Sequence, residues 1–149
     1  MQKTHAQNLV LKLLPLTLSK KEVINFASQF DPIYFHLDEI LAKQSMLGGL
    51  SASGFHTCSL AMKMLSIAWP ETVTDLEMQE VKSLKWLEPV RPDDVLSGEA
   101  TIIQHNSSSL HPTRSLFEAD INLQNQNHTM VLQMKCLVLT DQNRSTGNE

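Results

Sequence analysis

The chain has 149 residues, of which 42% are hydrophobic, and its formal net charge is −4. This length and composition are those of a single folded domain and argue against general disorder. The acidic balance excludes a nucleic-acid-binding surface, which needs a stripe of basic residues with aromatic residues between them.

The chain begins with the pattern of a strand followed by a helix. The apolar segment Leu9–Leu18 is interrupted by polar and basic residues, and no small-residue cleavage site follows it, so it indicates a strand and not a signal peptide. Ser19 and Glu22 fit a capping box for a helix from Lys20 to about Gln29. The pair Asp31-Pro32 ends this helix.

The next segments predict a short helix, a loop and a long helix. Asp38 can cap a helix that runs to about Gln44. The segment Ser45–Gly54 holds three of the five glycines of the chain, so tight backbone geometry is concentrated there. The stretch "FHTCSLAMKMLSIAW" has Lys63 as its only charge and ends before Pro70, which predicts a core helix buried on several sides.

The second half of the chain predicts four strands, over about 75–87, 94–106, 114–124 and 128–140. Apolar residues alternate with polar ones over 117–123, as in a strand with one covered face. The last strand is apolar on both faces near its end, which predicts a position inside the sheet. With the N-terminal strand, this gives an α+β domain over 1–140, in which an antiparallel sheet of about five strands wraps around one long helix. A polar, frayed tail is expected over 141–149.

Cysteine and histidine spacing indicates neither a disulfide-rich nor a metal-binding protein. Cys58 and Cys136 are the only cysteines, so a reduced, cytoplasmic protein is expected. No apolar run approaches the ~20 residues that cross a bilayer, so no membrane association is expected. Four other potential metal ligands match no standard zinc spacing: His36, Asp38, Glu39 and His56. His56 is expected to pack in the first turn of the long helix. Ser51 and Ser53 miss the nucleophile elbow of serine hydrolases by one position.

The segment "FASQFDPIYFHLDE", residues 26–39, places Asp31 and His36 among four aromatic residues. Imidazole is suited to removing a proton from water, and a neighbouring carboxylate can share that water. The aromatic residues and Ile33 would form a dry mouth around the pair. Gly54, at the start of a buried helix, would expose a free amide for a developing oxyanion and leave room for close approach of a substrate. Taken alone, the Asp31–His36 pair is explained better by structural roles, one residue capping a helix and the other packing.

The structural explanation of the Asp31–His36 pair becomes less favoured when four segments are considered together, in the order in which they occur along the chain: "DPIYFH", "LDEILAK", "GGLSASGFHT" and "LKWLEPVRPDDVLSGEATI". Together they resemble the MaoC-like dehydratases, the (R)-specific enoyl-CoA hydratase group with a hotdog fold, from about Ser19 to Leu139. The resemblance implies that Asp31 and His36 are the catalytic acid and base and that Gly54 is the oxyanion donor.

The sequence departs from the family motif Asp-x-Asn-Pro-x-His, because Ile33 and Tyr34 stand at the Asn and Pro positions. It is closer to a related variant, Asp-Pro-x-x-Phe-His, which keeps the acid and the base. The stretch "NSSSLHPTRS", 106–115, resembles a family segment near the substrate mouth, and no roles are assigned there.

The resemblance implies a hydratase/dehydratase that interconverts an enoyl thioester and its 3-hydroxyacyl thioester. Coenzyme A or acyl carrier protein would be part of the substrate, no metal or redox cofactor would be needed, and the protein would be a homodimer. Five residues are expected to contact the substrate: Tyr34, Phe35, Gly49, Ser53 and Phe55. Arg91 is left out, because a solvated arginine in a surface hairpin explains it as well as a coenzyme A phosphate does. Two alternatives stay open, a non-catalytic acyl-thioester-binding protein and a hotdog thioesterase.

Overall fold

The computed structural model describes residues 8–69, 75–105 and 113–141. The elements in chain order are β1 (Leu9–Thr17), α1 (Lys20–Phe30), α2 (Tyr34–Leu37), α3 (Glu39–Lys43), α4 (Gly54–Ala68), β2 (Glu77–Trp86), β3 (Val95–His105), β4 (Arg114–Gln124) and β5 (Met130–Asp141). The predicted strands and the long helix are confirmed. The predicted helix stop at Pro70, the segment 106–112 and the tail beyond Asp141 fall outside the described residues.

The five strands form one antiparallel sheet in the order β1-β3-β4-β5-β2. β4 pairs with both β3 and β5, for example through Ile121, which lies opposite Ala100 on one side and Met134 on the other. β5 lies between β4 and β2, which confirms its predicted position inside the sheet. β1 and β2 are the edge strands.

The core lies between α4 and one face of the sheet. Ala119, Ile121 and Leu123 of β4 are fully buried, as their alternation predicts. α4 contributes Ala61 and Leu65, which are also fully buried. Burying one such leucine stabilises the fold by about 1.5–3 kcal/mol.

The helix α4 is covered on one side only in the single chain. It packs against α1, β1 and β5 through its buried residues. Phe55 and Ile67 on the other side are 63% and 61% exposed. The expectation of a helix buried on several sides is therefore wrong for the single chain, because one sheet and α1 cover only part of its surface.

Local hydrogen bonds set the course of the chain before α4. The capping box is confirmed, since the Glu22 amide donates to the Ser19 hydroxyl at 3.2 Å and the Ser19 amide donates to the Glu22 carboxylate at 2.8 Å. Asp38 caps α3 as predicted, accepting from the amides of Ile40 and Leu41 at 2.9 Å. The single turn of α2 is not predicted by the sequence, and it turns His36 into the interior.

Candidate active site

A cleft of about 410 Å³ lies beside the start of α4 and the end of β2. Three segments of the chain bring Asp31, His36 and Gly54 to its wall. Most of the remaining wall is apolar, with the side chains of Leu47, Ala52, Phe55, Trp86, Leu87, Pro89, Val90 and Val131. The structure thus collects the three residues that the sequence predicts as catalytic around one apolar cleft.

His36 is buried, and its backbone contacts define its tautomer. Its Nδ1 lies 2.7 Å from the carbonyl oxygen of Ser51. Because a carbonyl only accepts hydrogen bonds, Nδ1 carries the proton and Nε2 of the neutral ring has a free lone pair. Nε2 lies 3.4 Å from Oδ2 of Asp31, so the basic nitrogen faces the carboxylate.

Asp31 stands at the C-terminal end of α1, with its side chain 23% exposed. The hydroxyl of Ser53 donates to Oδ2 of Asp31 at 2.7 Å. Ser53 is fully buried and is the N-cap residue of α4, yet its side chain makes no capping hydrogen bond. The structure therefore places Ser53, which the sequence assigns to substrate binding, behind the carboxylate as its hydrogen-bond donor.

Gly54 is the first residue of α4, so its amide has no carbonyl partner within the helix. Its carbonyl oxygen accepts a hydrogen bond from Nε1 of Trp86 at 2.8 Å. A Cβ atom added at Gly54 would lie 2.6 Å from two atoms of the Trp86 ring. Trp86 therefore leaves no space for a side chain at position 54, and the reason expected from the sequence, close approach of the substrate, stays a prediction.

Of the other four predicted substrate-binding residues, Phe55 lies in the cleft wall, and the other three are not among the described residues that line it. Phe55 lines the cleft and packs edge-to-face against Trp86, with ring centroids 5.5 Å apart. Phe35 packs edge-on against the ring of His36 at 4.7 Å and supports it from behind. Tyr34 and Gly49 are not among the described residues that line the cleft.

The expected dry mouth of aromatic residues around Asp31 is wrong in the single chain. Phe30, Ile33 and Tyr34 are 70%, 44% and 48% exposed. Tyr34 and His36 are two positions apart on α2, which separates their side chains by about 200° around the helix axis. Turning His36 inward therefore turns Tyr34 outward, and the cleft takes its apolar walls from other segments.

Arg91 binds backbone carbonyls of a neighbouring loop, a role that differs from both explanations considered from the sequence, a solvated side chain and a phosphate contact. Its guanidinium donates to the carbonyl oxygens of Gly49 at 2.7 Å and of Leu50 at 3.4 Å, and also to that of Leu47. These bonds hold the glycine-containing loop against the segment that follows β2. Since all three acceptors are backbone atoms, no residue type marks them in the sequence.

His56 is buried beside the site but does not line the cleft. Its ring stacks on Phe26, with centroids 4.4 Å apart, which confirms the predicted packing role. Its Nδ1 is buried and has no hydrogen-bond partner. Burial lowers the pKa of His56, and the negative charge of Glu22 opposes this shift.

Sequence reasoning missed two residues of the site. Trp86 is one of only two tryptophans and lies within a segment that carries the family resemblance, so a signal for it existed. Ser51 orients His36 through a backbone carbonyl, which leaves no signal in the residue type.

The described residues contain neither a metal-binding cluster nor a membrane-spanning helix. In the ranges 8–69, 75–105 and 113–141, no group of three or more His, Cys, Asp or Glu side chains is arranged to hold a metal ion. In the same ranges, no helix is long and apolar enough to cross a membrane.

Both the sequence and the fold of the chain match those of known proteins. The family described as "MaoC like domain" matches residues 2–115. Among solved structures, the chain is similar to a MaoC-like dehydratase from Rhodospirillum rubrum, with 29% identity, a TM-score of 0.75 and coverage of 90% of this chain and 91% of that one. It is also similar to the (R)-hydratase from A. caviae involved in PHA biosynthesis, with 18% identity, a TM-score of 0.68 and coverage of 89% and 93%. At that lower identity the likeness concerns the fold alone.

One curated relative is the uncharacterized protein YdeM of Bacillus subtilis, which is 33% identical over 90 residues. The matched part is 58% of this chain and 62% of YdeM, which is less than two thirds of that relative's length.

Proposed function

The chain belongs to the MaoC-like domain family and has the hotdog fold, and from this premise we propose that it is a hydratase/dehydratase acting on acyl thioesters. The proposed reaction interconverts an enoyl thioester and its 3-hydroxyacyl thioester. The observation that carries the proposal is the approach of His36 Nε2 to Asp31 Oδ2 at 3.4 Å, in the wall of a cleft that also exposes Gly54.

His36 is the base in this proposal. The Ser51 carbonyl keeps the proton on Nδ1, so the lone pair of Nε2 is free to take a proton from water. Asp31 accepts a hydrogen bond from the same water, while Ser53 fixes the carboxylate from the other side. Acid–base help of this kind contributes about 10²–10⁴ in rate.

The proton and electron movements balance in the hydration direction. As His36 takes one proton from water, the remaining hydroxide adds to the β-carbon and the double-bond electrons move to the thioester oxygen. The proton then passes from His36 Nε2 to Asp31 Oδ2, across 3.4 Å, and Asp31 delivers it to the α-carbon, which returns the electrons from the oxygen. Both groups end as they began, a neutral imidazole and a carboxylate, and the reverse order is dehydration.

Gly54 is the proposed donor to the thioester oxygen as that oxygen gains charge. Its free amide lies at the positive end of α4, where the helix dipole favours negative charge. Removing one such donor typically lowers the rate by about 10²–10³.

An acyl thioester suits the cleft in size and polarity. Its volume of about 410 Å³ falls within the ~300–1,000 Å³ usual for small-molecule sites, and its walls are largely apolar. Coenzyme A or acyl carrier protein would carry the acyl group as part of the substrate. The proposed steps use only side chains and one amide of the chain, so they require no metal or redox cofactor.

We also propose that the protein works as a homodimer. β2 is an edge strand of the sheet, and eight of its ten residues are exposed. Natural edge strands are usually covered, and the exposed Phe55 and Ile67 of α4 add apolar surface. Light scattering at micromolar concentration should give twice the mass of the 16.8 kDa chain, and a monomeric mass would contradict the proposal.

The cytoplasm is the compartment that we propose, because Cys58 and Cys136 are both free thiols. Cell fractionation with an antibody would place the protein, and recovery in an oxidising compartment would contradict this.

The test of the reaction is the loss of enoyl-thioester ultraviolet absorbance with purified protein and short, long and branched enoyl-CoAs. Asp31→Asn and His36→Ala should each abolish turnover, whereas His105→Ala, at an exposed histidine of β3, should leave it unchanged. Absence of turnover by folded wild-type protein on every substrate would favour a non-catalytic binding protein. Release of free thiol would favour a thioesterase.

A further inference from the structure

Trp86 takes no part in the proposed proton transfers, yet it makes two separate contacts with Gly54. Its Nε1 donates to the Gly54 carbonyl oxygen at 2.8 Å. Its ring also fills the space beside the Gly54 α-carbon, where a Cβ would lie 2.6 Å from Cε2 and Nε1. One side chain from the end of β2 thus contacts both the carbonyl oxygen and the space beside the α-carbon of a residue that lines the cleft.

The start of α4 lacks the restraints that usually fix a helix N-terminus. Its N-cap residue, Ser53, makes no side-chain capping bond, and its Oγ is directed at Asp31, to which it donates. The first turn carries no acidic residue. The residues before it are buried and bonded to other segments, but Gly54 as the first helical residue has more backbone freedom than any other residue would have.

An oxyanion donor stabilises charge only when its position is fixed before the reaction. At this uncapped helix end, the Trp86 contact is the tie that joins the first residue of α4 to the sheet. Trp86 itself is held in β2, where it pairs with Leu132 of β5. The contact therefore joins the Gly54 backbone to the edge strand β2, which is itself paired with the interior strand β5.

We propose that Trp86 is a positioning residue: it anchors the first turn of α4 to β2 and so fixes the Gly54 amide at the cleft. The catalytic part of this inference rests on the proposed hydratase function, whereas the anchoring part does not. Trp86 acts through Gly54 and is not assigned a role in the chemistry.

The first experiment replaces Trp86 with phenylalanine, which keeps an aromatic ring and removes the N–H donor. The matched control is Trp69→Phe, the same substitution at the other end of α4, where Trp69 packs edge-on against Phe117. Trp86→Phe should lower kcat about tenfold because the oxyanion donor is displaced, and KM should change less than about twofold because phenylalanine keeps an aromatic ring in the cleft wall. Trp69→Phe should leave kcat unchanged. An unchanged kcat in Trp86→Phe, or an equal loss in both variants, would overturn the proposal.

Hydrogen exchange tests the anchor without any substrate. The Thr57 amide donates to the Ser53 carbonyl at 3.2 Å and reports on the first turn of α4, whereas the Trp69 amide donates to Leu65 at 3.0 Å and reports on the last turn. In Trp86→Phe, the Thr57 amide should exchange about tenfold faster while the Trp69 amide is unchanged. Unchanged exchange at Thr57 would overturn the proposal.

A double substitution tests the ring contact. Gly54→Ala should lower the Tm of the Trp86 protein, and the loss should disappear in a Trp86→Ala background, where the new methyl group has space. An equal loss in both backgrounds would overturn the anchoring contact. If the exchange and Tm results hold but the wild-type protein turns over no enoyl thioester, the proposed reaction fails and the anchor stands.

Discussion

Replacing Arg91 with methionine should destabilise the fold and loosen one wall of the cleft. The guanidinium holds three backbone carbonyls of the loop between α3 and α4, those of Leu47, Gly49 and Leu50. Leu47 lines the cleft itself, and the loop leads directly to the Ser51 carbonyl that orients His36. Methionine keeps much of the apolar stem of arginine but cannot donate to any of these oxygens.

The size of the effect follows from the geometry of the three bonds. A hydrogen bond from a charged group contributes about 1.5–3 kcal/mol. The bond to Leu50 is long at 3.4 Å and counts for little, although that residue is buried. The carbonyls of Leu47 and Gly49 belong to half-buried residues and regain part of their hydrogen bonding from water. We therefore expect a loss of about 2–4 kcal/mol in the free energy of unfolding.

Urea denaturation measures this loss through the transition midpoint at an unchanged m-value. Arg114→Met is the matched control, because Arg114 makes an exposed ion pair with Glu77 at 3.0 Å that should contribute less than about 1 kcal/mol. Arg91→Lys should recover only part of the stability, since an ammonium group cannot reach several carbonyls as a planar guanidinium does. If Arg91→Met loses no more than Arg114→Met, the Arg91 hydrogen bonds do not stabilise the loop.

Three other substitutions test the site and the sheet. Ser53→Ala removes the hydroxyl that donates to Asp31 at 2.7 Å and should lower kcat about tenfold with little change in KM. Ser53→Thr keeps a hydroxyl and should keep activity. Equal kcat values in the two variants would contradict the role of Ser53 as hydrogen-bond donor to Asp31. His56→Phe removes an unpartnered buried nitrogen and should raise stability by about 1 kcal/mol at neutral pH. Burial lowers the pKa of His56 in the folded state below the value of about 6.5 in the unfolded state, so on acidification the unfolded state binds a proton first. The free energy of unfolding is therefore unaffected by His56 protonation above about pH 6.5 and falls as the pH drops from there through the folded-state pKa. Urea midpoints between pH 5 and 8 should therefore show a steeper acid loss in the wild type than in His56→Phe, and parallel curves would exclude His56 as the cause. Gly98→Ala places a methyl carbon 1.9 Å from the Asn122 carbonyl oxygen and should lower stability by at least about 2 kcal/mol; a Tm within one degree of wild type would show that the strands separate freely there.

The sequence predicted the elements whose signals are local. The capping box of Ser19 and Glu22, the Asp38 cap and the alternation in β4 each depend on residues a few positions apart. The Asp31–His36 pair also holds in the structure, because Asp31 at the end of α1 and His36 in the following turn α2 both line the same cleft. Local pattern was enough for these features.

The parts that the sequence did not show depend on contacts between distant segments. Arg91 binds carbonyl oxygens, which every residue type presents alike. The outward direction of Phe30 and Tyr34 follows from the turn of α2, a single-turn helix with no side-chain cap to mark its start. Trp86 reaches Gly54 from the far end of β2, so the requirement for glycine there is set by tertiary packing.

Ser53 shows how the site and the fold compete for the rotamer of one side chain, since the direction that reaches Asp31 makes no bond to an amide of the first turn. A serine at the N-cap position normally accepts from an amide of the first turn and stabilises the helix by about 1 kcal/mol. Here the same hydroxyl donates to Asp31, and α4 begins without a side-chain cap. Removing the carboxylate with Asp31→Ala should release Ser53 to cap α4, so that activity is lost while stability rises by about 0.5–1 kcal/mol.

Thermal unfolding of Asp31→Ala beside Asp31→Ala/Ser53→Ala separates this gain from other effects of the missing carboxylate. The gain should vanish in the double variant, in which position 53 cannot cap. A Tm for Asp31→Ala below that of the wild type, or an equal gain in both variants, would show that the serine is not diverted from a capping role. Because the Ser53 side chain is directed at the carboxylate of the proposed reaction and caps no amide of α4, the contact from Trp86 at 2.8 Å supports the start of the helix from outside.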